Sequence, residues 1–276
     1  MKKKKQRIDV LLVQRGLIET REKAKRAIMA GLVYSNEMRL DKPGEKVQED
    51  IPLTIKGNTL PYVSRGGLKL EKALNEFNIQ MKNKVMLDIG SSTGGFTDCA
   101  LQHGAKMVYA LDVGYNQLAW KLRKDDRVVV MERTNFRYVK PENFTKGLPE
   151  IATIDVSFIS LTLILPVLRT LLKKNSHVIA LIKPQFEAGK DQVGKKGIIR
   201  DPKIHEEVIQ KVINFALDMQ FHIINLSYSP ITGGKGNIEY LLHLYWQGDT
   251  RRRGENKLPH CVQQVVNNAH AELAEK

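Results

Sequence analysis

Residues 85–98 read Val85-Met86-Leu87-Asp88-Ile89-Gly90-Ser91-Ser92-Thr93-Gly94-Gly95-Phe96-Thr97-Asp98. Val85, Met86 and Leu87 read as a short buried strand, which Asp88 ends. Gly90, Gly94 and Gly95 follow in a turn that opens a helix. Strand, glycine-rich turn and helix bring backbone N–H groups to where a bound nucleotide can approach closely. A dinucleotide fingerprint needs a second glycine two residues after the first. Ser92 stands there, so NAD is disfavoured. A left-handed turn after a strand would by itself account for the glycines, so the reading depends on the next strand. That strand, residues 106–112, also ends in an acid. Asp112 lies 112 − 88 = 24 residues after Asp88, where a carboxylate that binds ribose hydroxyls belongs.

The chain has 276 residues, 42% of them hydrophobic. That suffices for one sizeable core plus a small extra domain. The formal net charge of +14 points to a polyanionic partner, nucleic acid before membrane. Two cysteines, Cys99 and Cys261, make neither a disulfide framework nor a typical zinc cluster, and no metal is expected. The basic start lacks an apolar signal-peptide segment, because Arg7, Asp9 and Gln14 interrupt it. The longest apolar run, residues 158–172, contains Pro166 and Arg169 and is shorter than the ~20 residues of a membrane span. These features predict a soluble, cytoplasmic, nucleic-acid-associated protein.

Residues 1–60 read as a separate module. Ile8, Leu11 and Leu12 share one helical face, and Gly16 suits its end. Thr20 can cap a second helix with Ala24, Ala27 and Ile28 inward, ended by Gly31. That helix carries Arg21, Lys25 and Arg26 outward, with Lys23 beside them. Val33 and Tyr34 begin an extended piece, Lys42-Pro43-Gly44 is a turn, and Ile51, Leu53 and Ile55 alternate as a strand. Residues 1–63 hold 14 Lys+Arg against 8 Asp+Glu. A solvated basic hairpin is the plain alternative; a cationic helix face meeting phosphates gives affinity and positioning.

Residues 61–64 read as a linker stiffened by Pro61, residues 65–247 as the main domain, and residues 248–276 as a basic tail opened by Arg251-Arg252-Arg253. In the main domain Leu70, Ala73, Leu74 and Phe77 form a buried helical stripe. Lys69 is off that stripe, and its place near the helix start predicts a surface lysine. Beyond the two strands already named, residues 127–131, 151–156, 177–183, 221–226 and 239–246 read as strands. Residues 159–172 read as a helix kinked at Pro166, and residues 203–219 as a long amphipathic helix. Alternation of strands and helices predicts a doubly wound α/β sheet, its seventh strand antiparallel after a short glycine-rich turn. Residues 185–201, with Lys190, Lys195, Lys196 and Arg200, read as a substrate loop at a strand's carboxyl end. Val262, Val265, Val266, Ala269 and Leu273 suit a short terminal helix.

An acid before Gly90-x-x-x-Gly94-Gly95 resembles the first motif of S-adenosylmethionine (SAM) methyltransferases. Asp155-Val156-Ser157-Phe158 lacks the two prolines of adenine-amino enzymes, and neither cysteine is placed as the nucleophile of pyrimidine-carbon enzymes. Asp155 and Lys183 stand at the ends of adjacent strands, Glu239 begins the last strand, and Lys69 precedes the first. All four can converge above the sheet.

The N-terminal module resembles the α-L RNA-binding domain of ribosomal protein S4. Its matching residues are Arg7-Ile8-Asp9, Arg15-Gly16, Arg21, Ala24, Ile28, Gly31, Val33 and Asp41-Lys42-Pro43-Gly44. With YVSRGGLKL (62–70), DIGSSTGGFTD (88–98), ALDVG, DVSFISL, LIKPQFE and GGKGNIEYL, nearly the whole chain resembles the TlyA family of ribosomal RNA 2′-O-methyltransferases, whose catalytic domain is FtsJ-like. The resemblance implies a Rossmann-like seven-stranded SAM-dependent methyltransferase domain preceded by a small α+β RNA-binding domain. It implies a catalytic tetrad of Lys69, Asp155, Lys183 and Glu239. Implied cofactor contacts are Asp88, Gly90, Ser91, Gly94, Gly95, Phe96, Asp112, Asn135 and Asp155. Implied RNA contacts are Arg7, Arg15, Arg21, Lys23, Lys25, Arg26, Arg65 and Lys190. The substrate it implies is a cytidine in ribosomal RNA or a ribosomal subunit. Two other classes stay open: a non-catalytic RNA-binding or ribosome-assembly factor, and a membrane-lytic hemolysin, a label the family also bears. The sequence offers the last no spanning segment and no amphipathic pore helix.

Overall fold

Alternation of apolar side chains along the central strands sends them to opposite faces of one sheet, and each face is covered by its own set of helices. A computed structural model of the chain describes residues 5–29, 31–56, 60–194, 197–250 and 252–273, without the side chains of Lys190 and Lys235. The chain divides into two compact units, Met1–Pro61 and Tyr62–Lys276.

In the first unit β1 (Lys5–Arg7) leads into α1 (Ile8–Gln14) and α2 (Arg21–Met29). Ile8, Leu11 and Leu12 pack against Ala24, Ala27 and Ile28 in one small core. Gly16 turns the chain at φ +68°, and Thr20 Oγ1 accepts from the Lys23 N–H at the start of α2. Then come β2 (Val33–Ser35), β3 (Met38–Arg39), β4 (Lys46–Gln48) and β5 (Thr54–Ile55). β2 pairs with β3 and β5, and β1 with β4, all antiparallel. The strand expected from Ile51 contracts to β5, because the Ile51 N–H closes a turn onto Gln48 O. β1 and β4 escaped the sequence reading, being only three residues each, mostly polar and with no buried position.

The second unit runs α3 (Gly66–Glu76), β6 (Val85–Ile89), α4 (Gly95–Gln102), β7 (Met107–Leu111), α5 (Trp120–Arg123), β8 (Val128–Met131) and β9 (Ile151–Ile154). It continues with α6 (Leu165–Leu171), β10 (Ser176–Ile182), α7 (Pro184–Glu187), α8 (Pro202–Asp218), β11 (His222–Tyr228), β12 (Tyr240–Trp246) and α9 (Val262–Leu273). The sheet order is β11-β12-β10-β9-β6-β7-β8. β12 runs antiparallel to both neighbours, while the pairs from β10 to β8 are parallel. This is the doubly wound sheet expected. α3, α4 and α5 cover one face; α6, α8 and α9 cover the other.

Four expectations change. Tyr62 and Val63, read as linker, are buried among α3 and α4 core residues. Pro166 starts α6 instead of kinking a longer helix, because its missing N–H costs nothing in a first turn. The segment read as one loop after β10 holds α7 and a short 3₁₀ turn, Lys190–Gln192. The tail is no appendage: Val265, Val266, Ala269 and Leu273 join the main core. Glu255 O accepts from the Ile223 N–H of the edge strand β11, and the Lys257 N–H donates to Ile223 O.

Candidate active site

The strand order reverses between β6 and β9, and open α/β sheets bind ligands outside the carboxyl ends at such a point. Asp155 follows β9 directly, and Lys183 follows β10. β12 is antiparallel, so its beginning lies at that same end, with Tyr240 opposite Ile182. This delivers Glu239 beside Lys183's strand. α3 supplies Lys69 from its first turn.

These four side chains form one chain of contacts. Lys183 Nζ lies 2.5 Å from Asp155 Oδ1. Lys69 Nζ lies 3.4 Å from Asp155 Oδ2 and 2.5 Å from Glu239 Oε2. Lys69 is only 8% exposed, so the expected surface lysine is an interior cation. Burial alone would lower its pKa, but Asp155 and Glu239 outweigh that and hold it above its ordinary value. Asp155 shows the converse. Burial raises a carboxyl pKa, yet Lys69 and Lys183 bring it below the ordinary value. Two lysines and two carboxylates therefore form one mostly buried cluster whose formal charges cancel. Lys183 Nζ also donates to Ser157 Oγ, at 3.3 Å.

The glycine-rich turn owes its composition to three close approaches. At Gly90 (φ +85°) a Cβ would sit 2.4 Å from the Asp155 carbonyl, so glycine lets the end of β9 close onto the turn. At Gly95 a Cβ would meet Ser64 Oγ at 2.3 Å and Gly67 N at 2.8 Å; glycine there admits the start of α3. Gly94 faces Leu118 and Leu122, and its missing side chain makes room for them. Only Gly90 and Gly95 of the three also line the cavity above the sheet.

That cavity has a volume of about 820 Å³. It is lined by Ser91, Ser92, Thr93 and Phe96 from the turn, by the four charged residues, and by Ser157, Phe158, Phe186 and Asn237. Asp88, Gly94, Asp112 and Asn135, expected as cofactor contacts, stand outside this lining. Asp88 is wholly buried and accepts from Thr97 Oγ1 at 2.7 Å and Thr153 Oγ1 at 3.0 Å. It ties the turn to β9, where no ligand reaches it. Asp112 accepts from the Ser92 and Gly114 N–H groups, at 2.8 and 2.7 Å. Asn135 caps a 3₁₀ turn by accepting from the Arg137 N–H.

Sequence reasoning missed several wall residues. Phe158 is 91% exposed with φ +63°, a backbone conformation that costs a non-glycine residue roughly 1 kcal/mol or more. Its ring lies 4.9 Å from that of Phe186. Asn237 is buried and joins the loop after β10 to the turn before β12, through Ile199 N, Gly197 O and Gly234 O. Arg65, expected on RNA, donates to Thr232 O at 2.9 Å from an exposed position. An aromatic three residues after the strand-end acid Asp155 was the one available signal.

In the first unit the expected RNA contacts are less free than their exposure suggests. Arg7 and Arg21 both bond Asp9, whose side chain is fully buried. The Arg7 guanidinium, with Arg21, holds the Asp9 carboxyl below its ordinary pKa. Arg15 donates to Ile51 O at 2.6 Å. Lys23 pairs with Glu19, and Lys25 with Glu22. Arg26 reaches Glu22 O at 3.5 Å. The side chain of Lys190, and all of Lys195, Lys196 and Arg251, lie outside the described residues.

Residues 62–246 match the FtsJ-like methyltransferase family, and residues 6–50 the S4 domain. The chain is 67% identical to the rRNA methyltransferase candidate YqxC of Bacillus subtilis, over all of this chain and 98% of that protein. It is 42% identical to the 16S/23S rRNA (cytidine-2′-O)-methyltransferase TlyA of Mycobacterium tuberculosis, over 88% and 91% of the two chains. A solved structure of a hemolysin candidate from Streptococcus thermophilus superposes with a TM-score of 0.78, at 55% identity, covering 99% and 98% of the two chains. Among the described residues no helix is long and apolar enough to cross a membrane.

Proposed function

Since the chain belongs to the FtsJ-like methyltransferases, within which it groups with the TlyA proteins, we propose that it moves a methyl group from SAM to a ribose 2′-oxygen of ribosomal RNA, on a cytidine. The observation that carries this reading is the Glu239–Lys69–Asp155–Lys183 chain of contacts beside the glycine-rich turn.

The cavity suits such a cofactor. Gly90 and Gly95 keep the turn close to the strand ends, and Ser91, Ser92 and Thr93 line it. Asp112 bonds two backbone N–H groups, and a carboxylate has lone pairs left for ribose hydroxyls. When bound, SAM supplies a methyl group on a sulfonium, which a weak nucleophile can take.

The chain's residues then have distinct tasks. A ribose 2′-hydroxyl must lose its proton as its oxygen attacks. Lys183 has three N–H donors as an ammonium, and Asp155 and Ser157 take two. The third can orient the 2′-oxygen; to act as base, Lys183 first releases one proton to solvent, and the lone pair of its amine then takes the hydroxyl's proton. Lys69, held charged between two carboxylates, is a poor proton acceptor and instead fixes Asp155. Glu239 fixes Lys69. Alignment of the hydroxyl with the methyl carbon supplies much of the remaining acceleration. Phe158 offers an unstacked base an exposed aromatic face. The S4 domain supplies phosphate contacts through Lys25 and Arg26 of α2, with Lys23 beside them, while Arg21 on the same helix holds Asp9.

Lys183→Ala and Lys183→Arg test the reading. Arginine is broader and stays protonated, so both variants should lose methyl transfer by at least ~10²-fold while still binding SAM and folding. Single-turnover methylation of ribosomal subunits with tritiated SAM, beside a binding isotherm, separates these effects. Near-wild-type turnover in Lys183→Ala would refute the mechanism. Loss of SAM binding would make Lys183 a cofactor contact instead.

A further inference from the structure

Glu187 closes a second connection between the two loops that carry the catalytic ion pair. It lies at the end of α7, four residues after Lys183, and is 5% exposed. Its carboxylate leaves its own loop and accepts from Ser160 Oγ at 2.5 Å and from the Leu161 N–H at 2.7 Å. Both partners belong to the loop that begins at Asp155. The two loops are therefore joined twice, first by Lys183–Asp155 at the strand ends, then by Glu187 farther out. Between these joints lie Ser157, which bonds Lys183, and the rings of Phe158 and Phe186 in contact. Lys211 of α8 donates to the Glu187 carbonyl at 3.1 Å, anchoring the outer joint to the helix layer.

This arrangement meets two physical demands. A buried carboxylate needs donors, and Ser160 and Leu161 supply them. Burial pushes its pKa up all the same, against the pull of these donors and of Lys211. A phenylalanine at φ +63° persists only where its surroundings over-determine it. With the loop pinned at Asp155 and again at Ser160–Leu161, the segment between has few other conformations.

We propose that Glu187 is a positioning residue for methyl transfer, holding Ser157, Phe158 and the Asp155–Lys183 pair in working geometry without touching the reacting atoms. The proposal rests on the catalytic reading of Lys183 and Asp155 given above. It requires Glu187 as an acceptor of two hydrogen bonds, which glutamine partly replaces. Glutamine's oxygen can accept from Leu161 N–H, and its amide can donate to a rotated Ser160 hydroxyl.

Three variants of the full chain, Glu187→Ala, Glu187→Gln and Ser160→Ala, test this beside Lys183→Ala. Amide hydrogen exchange over residues 156–164 reads the joint directly, with no need for activity. Exchange at residues 160–164 should quicken at least tenfold in Glu187→Ala and less in Lys183→Ala, which removes only the inner joint at Asp155 and Ser157. The single-turnover rate with ribosomal subunits should fall on the order of 10²-fold in Glu187→Ala, as for a small misplacement of reacting groups. SAM affinity should stay within about threefold, since Glu187 does not line the cavity. Glu187→Gln should recover at least tenfold of the lost rate. Should Glu187→Ala fail to fold, Ser160→Ala, which removes one of the two bonds, should show the same changes at smaller size. Unchanged exchange in the folded Glu187→Ala protein, or a Glu187→Gln rate as low as alanine's, would overturn the proposal. Full turnover in Lys183→Ala alongside quickened exchange in Glu187→Ala would instead sink the catalytic reading and leave the joint standing.

Discussion

Asp88 shows how burial changes a residue's meaning. In the sequence it is the acid of a cofactor motif; in the fold it is a wholly buried group tying the turn to β9 through two threonines. Burial pushes its carboxyl from an ordinary 3.8 up to about 7, against the hydrogen bonds from Thr97 and Thr153. The folded protein therefore keeps a proton that the unfolded chain loses above about pH 4. Stability from this group is complete below that pH and is lost as pH rises toward 7, at no more than about 1.4 kcal/mol per pH unit. Denaturant unfolding of wild type and Asp88→Asn across this window should show a shallower decline in the variant. Parallel curves would mean that Asp88 is ionised throughout.

At the scale of the element, α2 combines two jobs on one exposed surface. Arg21 shares the buried Asp9 with Arg7, whereas Lys25 and Arg26 bond Glu22 of their own helix. The Asp9 carboxyl has a depressed pKa, so its contribution is present at neutral pH and lost as pH falls through the folded value. Arg21→Ala should lower the stability of the S4 unit by about 1 kcal/mol, and this loss should vanish in acid. Lys25→Ala and Arg26→Ala should stay within about 0.5 kcal/mol of wild type. They should instead flatten the salt dependence of RNA binding, by roughly one unit of log–log slope for each phosphate contact removed. Thermal melts at two pH values and a salt titration of RNA affinity distinguish the roles. Equal melting of Arg21→Ala and Lys25→Ala would show that the Asp9 pair carries no stability.

Across the whole molecule, the C-terminal segment completes the catalytic unit. Val266 and Ala269 are fully buried, and Val265 and Leu273 nearly so. A buried valine or leucine contributes about 1.5–3 kcal/mol, against a typical total stability of about 5–15 kcal/mol. Glu255 and Lys257 also bond Ile223 of the edge strand β11, and Gly254 bonds Leu217 of α8, so the segment is tied to both the sheet and its helix layer. Removing residues 249–276 should lower the melting temperature sharply and promote aggregation, although no residue of the cavity lining is removed. An unchanged melt would show that α9 is dispensable to the core.

Much of this protein is legible in its sequence because local rules write it there. Period-2 and period-3.6 patterns mark the strands and helices, Gly16 and Gly31 mark helix ends, and an acid follows the strand at Asp155. Family motifs single out Lys69, Asp155, Lys183 and Glu239. Tertiary structure alone decides what those residues experience. Lys69 reads as a surface cation from its own helix, and becomes an interior one because α3 packs over the strand ends. Gly95 serves a helix contact made with residues 64–67, nearly thirty positions earlier. Glu187 pins a loop that begins at Asp155, and the tail enters a core whose other walls lie up to about 190 residues away. Spacing along a chain encodes hydrogen bonds to near neighbours; burial, and the pKa and contacts that follow from it, depend on which distant elements fold over a residue.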